Sequence, residues 1–339
     1  MTSSNSLIDK KEQRFRSLVS LTVLVIYLLV LAGGIVRGTG SGMGCPDWPK
    51  CFGRWVPPTE ISQLPVNYQE IYGAKLKGEV EFNAVKTWIE YTNRLLGVLS
   101  GFLVLATLIA SISYIRKDKA VFWGSVSAFL LIGVNGWLGS RVVATELAQY
   151  VISLHLLLAI LLVLALLFVW VRVNARKNYI ASPATKSNQL RYLIAVALIL
   201  TLGQIVLGAQ VRDALDSVVK RLGYDQRDNW IGQLDWRFYV HRSFSLVLLV
   251  LHLVVIYQLR KLTKTGKIAK LTNTLIGLVI AEISTGIIMA YLGVPAVAQP
   301  IHLELAILMI GLQFSIFLLL TPKLIVSTER SEAFRLVKA

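Results

Sequence analysis

Polarity is distributed along this chain in long blocks. Eight stretches are continuously apolar, roughly 18–36, 88–113, 121–139, 150–171, 192–211, 238–259, 271–292 and 300–321, and the segments between them hold most of the charge. A helix rises ~1.5 Å per residue, so about 20 apolar residues cross the hydrocarbon core of a bilayer, and each stretch is long enough. The runs are continuous, whereas the strands of an outer-membrane barrel alternate, so helices are expected. The pattern predicts an all-α integral membrane protein with eight transmembrane helices.

Two stretches repeat one another. Trp88 to Ser100 reads WIEYTNRLLGVLS and Trp236 to Leu248 reads WRFYVHRSFSLVL, with Trp, Tyr, Arg and the following apolar run in matching order. Asn93 stands in the first where His241 stands in the second. The interval from Asn93 to His155 is 155 − 93 = 62 residues, and from His241 to His302 it is 302 − 241 = 61. GGIVRG at 33–38 resembles GQIVLG at 203–208, and the start of the fourth apolar stretch resembles QPIHLELA at 299–306. These correspondences predict two duplicated four-helix bundles, residues 1–175 and 191–339, joined by a basic linker at 176–190 that is rich in Asn, Ser, Pro and Lys. With four helices in each half, both copies would have the same orientation.

Composition agrees with a membrane location and adds a direction. Of the 339 residues, 55% are hydrophobic, more than a soluble core of this size would need. The net charge of +16 could suggest nucleic acid, but the basic residues follow topology and are not gathered on one soluble module. If the N-terminus is cytoplasmic, the inner segments hold 21 of the 35 Lys and Arg and only five acids, while the outer segments and helix starts carry the other 14 basic residues, nearly balanced by 12 acids, with Glu282 and Glu304 inside apolar stretches. The positive-inside rule then puts both termini in the cytoplasm. The N-terminal MTSSNSLIDKKEQRFRS lacks a small-residue cleavage site after an apolar core and carries Asp9 and Glu12. It reads as the leader of an uncleaved first helix, and not as an Arg-rich organelle presequence, which favours a multi-pass protein of a bacterial plasma membrane.

Candidate chemistry gathers at the outer helix ends. His155, His241 and His302 lie near those ends, whereas His252 is 11 residues beyond His241, or ~16 Å deeper. His241 and His302 start two helices of one half at equal depth, an arrangement that can hold a haem iron between two imidazoles. Zinc would want more nitrogen or sulfur ligands, hard cations would want oxygen clusters, and copper lacks a suitable His and Cys grouping. His252 is expected to be a packed polar residue, with a proton path or a ligand role elsewhere as alternatives. Glu90 and Asn93 are three residues apart and project from one helical face. Glu90 is either the interfacial partner of Arg94 or Arg37, or a catalytic or gating carboxylate beside a cofactor. Arg37 lies where an anionic group could meet it, and Gly33 and Gly34 would permit close helix approach. Glu282 and Glu304 are rare acids within apolar stretches, open to pathway roles or to hydrogen-bonded helix contacts. Cys45 and Cys51, the only cysteines, face the oxidising side in this topology. A disulfide would suit that compartment, as a structural staple or as a dithiol that passes electrons or receives haem.

Taken together, GGIVRGTGSGMGCPDWPKC, EYTNRLLG and the segments around His155, His241 and His302 resemble the haem A synthase family, membrane enzymes that convert haem O to haem A for terminal oxidases. The resemblance covers nearly the whole chain. It implies a b-type haem in the C-terminal half on His241 and His302, and substrate haem O in the N-terminal half near Glu90 and His155, with the Cys45 and Cys51 pair just above. Catalysis would involve Glu90, and Asn93, Arg94, Arg37 and Arg242 would contribute to binding the haems. A porphyrin methyl group would be oxidised, through hydroxylation, to a formyl group. Implied partners are the haem O synthase (protohaem farnesyltransferase), membrane lipid and an electron donor the sequence does not identify; nucleic acid is not among them. The departure is Asn93, where the family commonly has histidine. It puts ligation by two histidines in the N-terminal half in doubt and leaves His155 as the ligand there. The alternative function is a haem-binding, quinol-oxidising electron-transfer protein that does not modify haem. A transporter is a third reading, less suited because the unusual residues concentrate at one side.

Overall fold

The computed structural model describes residues 2–72, 82–174, 184–223 and 225–325, with side chains from residue 10 in the first helix and from 188 in the sixth. Ten α-helices occur among the described residues: α1 Thr2–Gly38, α2 Tyr68–Tyr72, α3 Ala84–Ser111, α4 Lys119–Ala144, α5 Gln149–Asn174, α6 Ala184–Leu222, α7 Trp236–Leu262, α8 Gly266–Tyr291, α9 Ala298–Leu319 and α10 Pro322–Ile325. Eight of them, all but α2 and α10, are long and apolar enough to cross a membrane, in the order the hydropathy pattern predicts. Among the described residues there is no strand, only an isolated bridge between Cys51 and Arg54. The chain is a multi-pass membrane protein. Exposed aromatic side chains mark both ends of the bundle, with Trp236, Tyr239 and Tyr291 at one and Trp123, Tyr192 and Tyr257 at the other, as expected of rings that sit at headgroup level.

The helices are longer than the apolar runs because polar chemistry at their ends continues them. Asn83 caps α3 by accepting from the Lys86 amide, so α3 starts four residues before the expected 88. Asp235 caps α7 in the same way through the Arg237 amide, and hydrogen bonds from Arg237, the side chain's first, hold the exposed Asp235 carboxyl below its ordinary range. α6 runs 11 residues past the expected 211, since 222 − 211 = 11. Its extension keeps an apolar stripe, Ala214, Leu215 and Val218, on which Trp230 and Leu234 of the following loop fold back. Of the expected linker, residues 184–190 are the first turns of α6 and Leu190 is buried against Val255, Leu259 and Ile268. Residues 175–183 and the basic C-terminal tail with Glu329 and Glu332 lie outside the described residues, and Asp9 precedes the described side chains of α1. Between α1 and α3, the described residues up to 72 contain α2 and a single turn at Ile61–Gln63.

α1, α3, α4 and α5 pack in a ring, and α6 to α9 form a second set in which α9 is the most buried helix. α9 also packs on α1 and α5, so one apolar core runs through both sets: Ile26, Val104, Ala128, Ile160, Leu166, Ile205 and Ile307 belong to it. Gly34 and Gly38 make this crossing close, for a Cβ at Gly34 would lie 3.1 Å from Pro300 and one at Gly38 would lie 2.9 Å from the Ala296 carbonyl oxygen. The expected contact role of Gly33 is not realised, as nothing lies within 4 Å of its Cβ position. Small residues are what let helix backbones approach in lipid, where apolar surface alone gives no preference for a neighbouring helix.

At the end of the bundle remote from residues 39–83, Arg172 at the close of α5 donates through Nε to both oxygens of Asp118, each at 2.8 Å, and through Nη1 to the Leu324 carbonyl. Both side chains are buried. This pair ties the α4 start, the α5 end and α10 together. Removing one partner strands the other charge, so Arg172→Met is expected to lower stability by about 3 kcal/mol. The double change Arg172→Met with Asp118→Leu should recover most of that loss, as read by thermal unfolding in detergent.

Candidate functional site

The loop between α1 and α3 is a folded cap, held by two polar residues one helical turn apart. Glu90 and Arg94 pair at 2.5 Å, with the Glu90 side chain only 5% exposed. The other Glu90 oxygen accepts from the Cys45 amide at 2.7 Å. The Arg94 guanidinium donates to the carbonyls of Cys45, Asp47 and Lys50 at 3.0, 2.7 and 3.0 Å. Thr87 adds a bond to the Gly44 carbonyl at 2.9 Å, and Tyr91 one to the Trp55 carbonyl at 2.6 Å. Gly44 must be glycine, because a Cβ there would lie 2.5 Å from the Lys86 carbonyl oxygen.

Within the cap, Asp47 receives the amides of Phe52 and Gly53 at 2.6 and 2.8 Å, stabilising two successive residues with positive φ. Cys45 and Cys51 are joined by a disulfide and fully buried. Of the two readings of Glu90, the partner of Arg94 is the one the geometry displays.

The three helix-start histidines share a local arrangement. The Cε1 edge of each imidazole rests against a glycine of the adjacent helix. A Cβ at Gly139 would lie 3.5 Å from His155, one at Gly286 3.5 Å from His302, and one at Gly208 3.2 Å from His241. The ring also faces the backbone carbonyl four residues before that glycine: Asn135 for His155, Gln204 for His241 and Glu282 for His302. The glycine leaves room beside the ring, most tightly at Gly208. Nδ1 of His155 and of His241 is buried and has no hydrogen-bond partner among the described residues.

His302 is held more firmly. Its Nδ1 lies 2.9 Å from Thr285 Oγ1 and 3.3 Å from Glu282 Oε1. The Thr285 hydroxyl also lies 2.9 and 3.1 Å from the carbonyls of Glu282 and Ala281, and with its proton on that helix backbone its oxygen accepts from His302. In that arrangement a neutral His302 carries its proton on Nδ1 and keeps the lone pair of Nε2. An imidazole whose second nitrogen donates to a carbonyl or carboxylate is the usual form of a metal-ligating histidine.

The imidazoles of His241 and His302 are close enough to interact electrostatically across the second helix set. His252 is different: its Nδ1 lies 2.6 Å from the Leu248 carbonyl, which fixes the proton there, and its Nε2 lies 2.6 Å from Gln313 Nε2. Both ring nitrogens are used, so His252 is a packed residue with nothing left to offer a ligand. Among the described residues no group of three or more His, Cys, Asp and Glu could hold a metal ion.

The remaining expected site residues are distributed as follows. Asn93 lines a groove of about 560 Å³ between α1 and α3, together with Ala32, Ile35, Val85 and Trp88. Its Oδ1 is buried without a partner, as are Trp88 Nε1 and Asn135 Oδ1. Arg37 bonds to Gln149 and Asp216 at 3.2 and 3.3 Å, so a side chain of α6 supplies its anionic partner. Arg242 is exposed on α7. Glu304 Oε2 is buried without a partner. Thr285 and the glycines at 139, 208 and 286 escape a reading that looks only for ligands. A signal for two of the glycines was present, since 155 − 139 = 302 − 286 = 16.

Residues 16–314 match a family described as cytochrome oxidase assembly protein. The chain is 25% identical over 293 residues to the heme A synthase of Shewanella oneidensis, a match covering 80% of this chain and 86% of that protein. It is 30% identical to the heme A synthase of Bartonella tribocorum, over 61% of this chain and 62% of that one. Against the heme A synthase of Allorhizobium ampelinum it is 31% identical, over 60% and 59%. In the last two matches the chain spans less than two thirds of the relative's length.

The clamp on the Cys loop makes a direct expectation. Losing a buried partner costs about 3 kcal/mol, equivalent to on the order of 100-fold in the population of the opened loop. Glu90→Ala and Gly44→Ala should each speed disulfide reduction by a dilute phosphine toward that limit, followed by alkylation and mass shift. Glu60→Ala, on an exposed part of the same loop, should leave the rate unchanged.

Proposed function

The chain belongs to the cytochrome oxidase assembly protein family, and from that membership and the imidazole geometry we propose that it is a haem A synthase of the bacterial plasma membrane. It would act as an oxidoreductase, taking haem O from a haem O synthase and oxidising one porphyrin methyl group to a formyl group. The observation that carries the reading is the repeated imidazole, glycine and carbonyl arrangement at three helix starts, with Nε2 of His302 left as a free lone pair.

The residues present fit a haem in the α6 to α9 set. His241 and His302 would hold it through their imidazoles, whose Cε1 edges rest against Gly208 and Gly286. Bound there, a b-type haem supplies one-electron transfer, its potential set by its ligands and their hydrogen bonds. The α1 to α5 set would hold substrate haem O, with His155 as its one imidazole. The amide of Asn93 is a poor iron ligand, so the other face of the substrate would lack a histidine. The mostly apolar groove beside Asn93 and Trp88 would admit the isoprenoid edge of the substrate from the bilayer.

Glu90 and Arg94 would act by holding the disulfide cap over this half, and Arg37 with Asp216 by fixing the tops of α1 and α6. Buried helices and the cap would keep water from the reacting methyl group. We further propose that the halves 1–175 and 191–339 arose by duplication, that both termini are cytoplasmic, and that the cap and the histidine ends face outward, as the charge asymmetry supports.

A second reading, a quinol-oxidising electron-transfer protein, is favoured by Asn93 alone. Pigment extraction and mass analysis after co-expression with a haem O source separate the two. The native chain should yield haem A or its hydroxylated precursor, and His241→Ala or His302→Ala should lose the bound b-type pigment and the product. Bound b-type haem with no modified product, and product gained in Asn93→His, would establish the electron-transfer reading instead.

A further inference from the structure

The two helix sets differ in what surrounds their corresponding histidines. A constant offset relates them: 302 − 155 = 286 − 139 = 285 − 138 = 282 − 135 = 147. His302 and Gly286 thus have counterparts of the same kind in His155 and Gly139. The two residues that contact His302 Nδ1 do not. Glu282 corresponds to Asn135, and Thr285 to Leu138, which has no acceptor at all.

In the second set the His302 N–H faces two acceptors, Thr285 Oγ1 at 2.9 Å and Glu282 Oε1 at 3.3 Å. In the first, His155 Nδ1 is buried without a bonded partner. Glu282 makes no other side-chain hydrogen bond or ion pair among the described residues, and its Oε2 is buried and unpartnered. A carboxyl group within an apolar helix is costly to keep. Here its one described contact is the nitrogen opposite the free lone pair of His302. Thr285 is committed the same way, because its own proton is already used on the helix backbone.

We propose that Glu282 and Thr285 are positioning residues that fix the Nδ1–H tautomer of His302 and strengthen it as an electron donor to iron, biasing the haem of this half toward its oxidised form. The inference rests on the reading that His241 and His302 hold a haem. An imidazole whose N–H is drawn toward an acceptor donates more strongly through its other nitrogen, and the oxidised metal gains most from that. The half that contains His155 has an amide, Asn135, in place of the carboxyl and an apolar Leu138 in place of the hydroxyl, and His155 Nδ1 bonds to neither. The duplicated scaffold would therefore hold two irons with different tendencies to give up an electron, the difference residing at two side chains.

The test uses the full chain purified in detergent with its haem, followed by optical redox titration and low-temperature electron paramagnetic resonance of the oxidised form. Glu282→Gln and Thr285→Val are close to isosteric. Each should raise the midpoint potential, with Glu282→Gln shifting the reduced-to-oxidised ratio at fixed potential about tenfold, ~59 mV for one electron. The low-spin g-values should change with it, and Thr285→Ser should restore the native spectrum and potential. Haem that stays bound in both variants with unchanged potential and g-values would overturn the proposal while leaving the haem reading intact. A native chain that binds no haem, or a His302→Ala variant whose haem spectrum is native, would overturn both.

Discussion

At three helix starts the edge of an imidazole rests against a glycine of the neighbouring helix, and the site is built on that contact. It is tightest at Gly208, where a Cβ would come within 3.2 Å of His241, and of ordinary van der Waals length at Gly139 and Gly286, 3.5 Å from His155 and His302. Each ring also faces the carbonyl one turn before its glycine. At His302 the Thr285 hydroxyl and the Glu282 carboxyl complete the arrangement. Helix packing thereby fixes an imidazole at a set depth without a metal-holding cluster of charged or polar neighbours among the described residues.

The same economy holds at the cap. Glu90 and Arg94 are isolated charges near the start of a membrane helix, where a lone charge is expensive. Paired with each other and spread over the Cys45 amide and three loop carbonyls, they satisfy nearly all of their hydrogen-bonding capacity and organise a segment that has little apolar core of its own. The buried disulfide then closes on a loop already fastened to α3. His252 and Gln313 settle a similar cost deeper in the second set, each using the other.

The two sets share a helix order and differ in polar detail. Their shared frame is the helix order and the glycine to histidine interval of 16 residues. Their differences include Asn93 against His241, Asn135 against Glu282 and Leu138 against Thr285. Such differences change hydrogen bonding without disturbing the close crossing of α1 and α9 at Gly34 and Gly38. The common core that includes Ile26, Leu166 and Ile307 keeps the two sets in one body.

The sequence alone determined the eight crossings, because unbroken apolar length is a one-dimensional property that lipid imposes directly. It also determined the level of three histidines, since residue number converts to depth at a fixed rise per residue, and it set His252 apart for the same reason. Only the tertiary structure decided what each polar group meets. The choice of Arg94 as partner for Glu90, of Asp216 for Arg37 and of Gln313 for His252 depends on contacts 4 to 179 residues apart along the chain. The extension of α6 depended on a loop folding back through Trp230, and the glycines gained meaning only once an imidazole was seen against them. Periodicity fixes where a side chain lies along its own helix, but which neighbour it faces is set by how helices cross, and that is a property of the packed bundle.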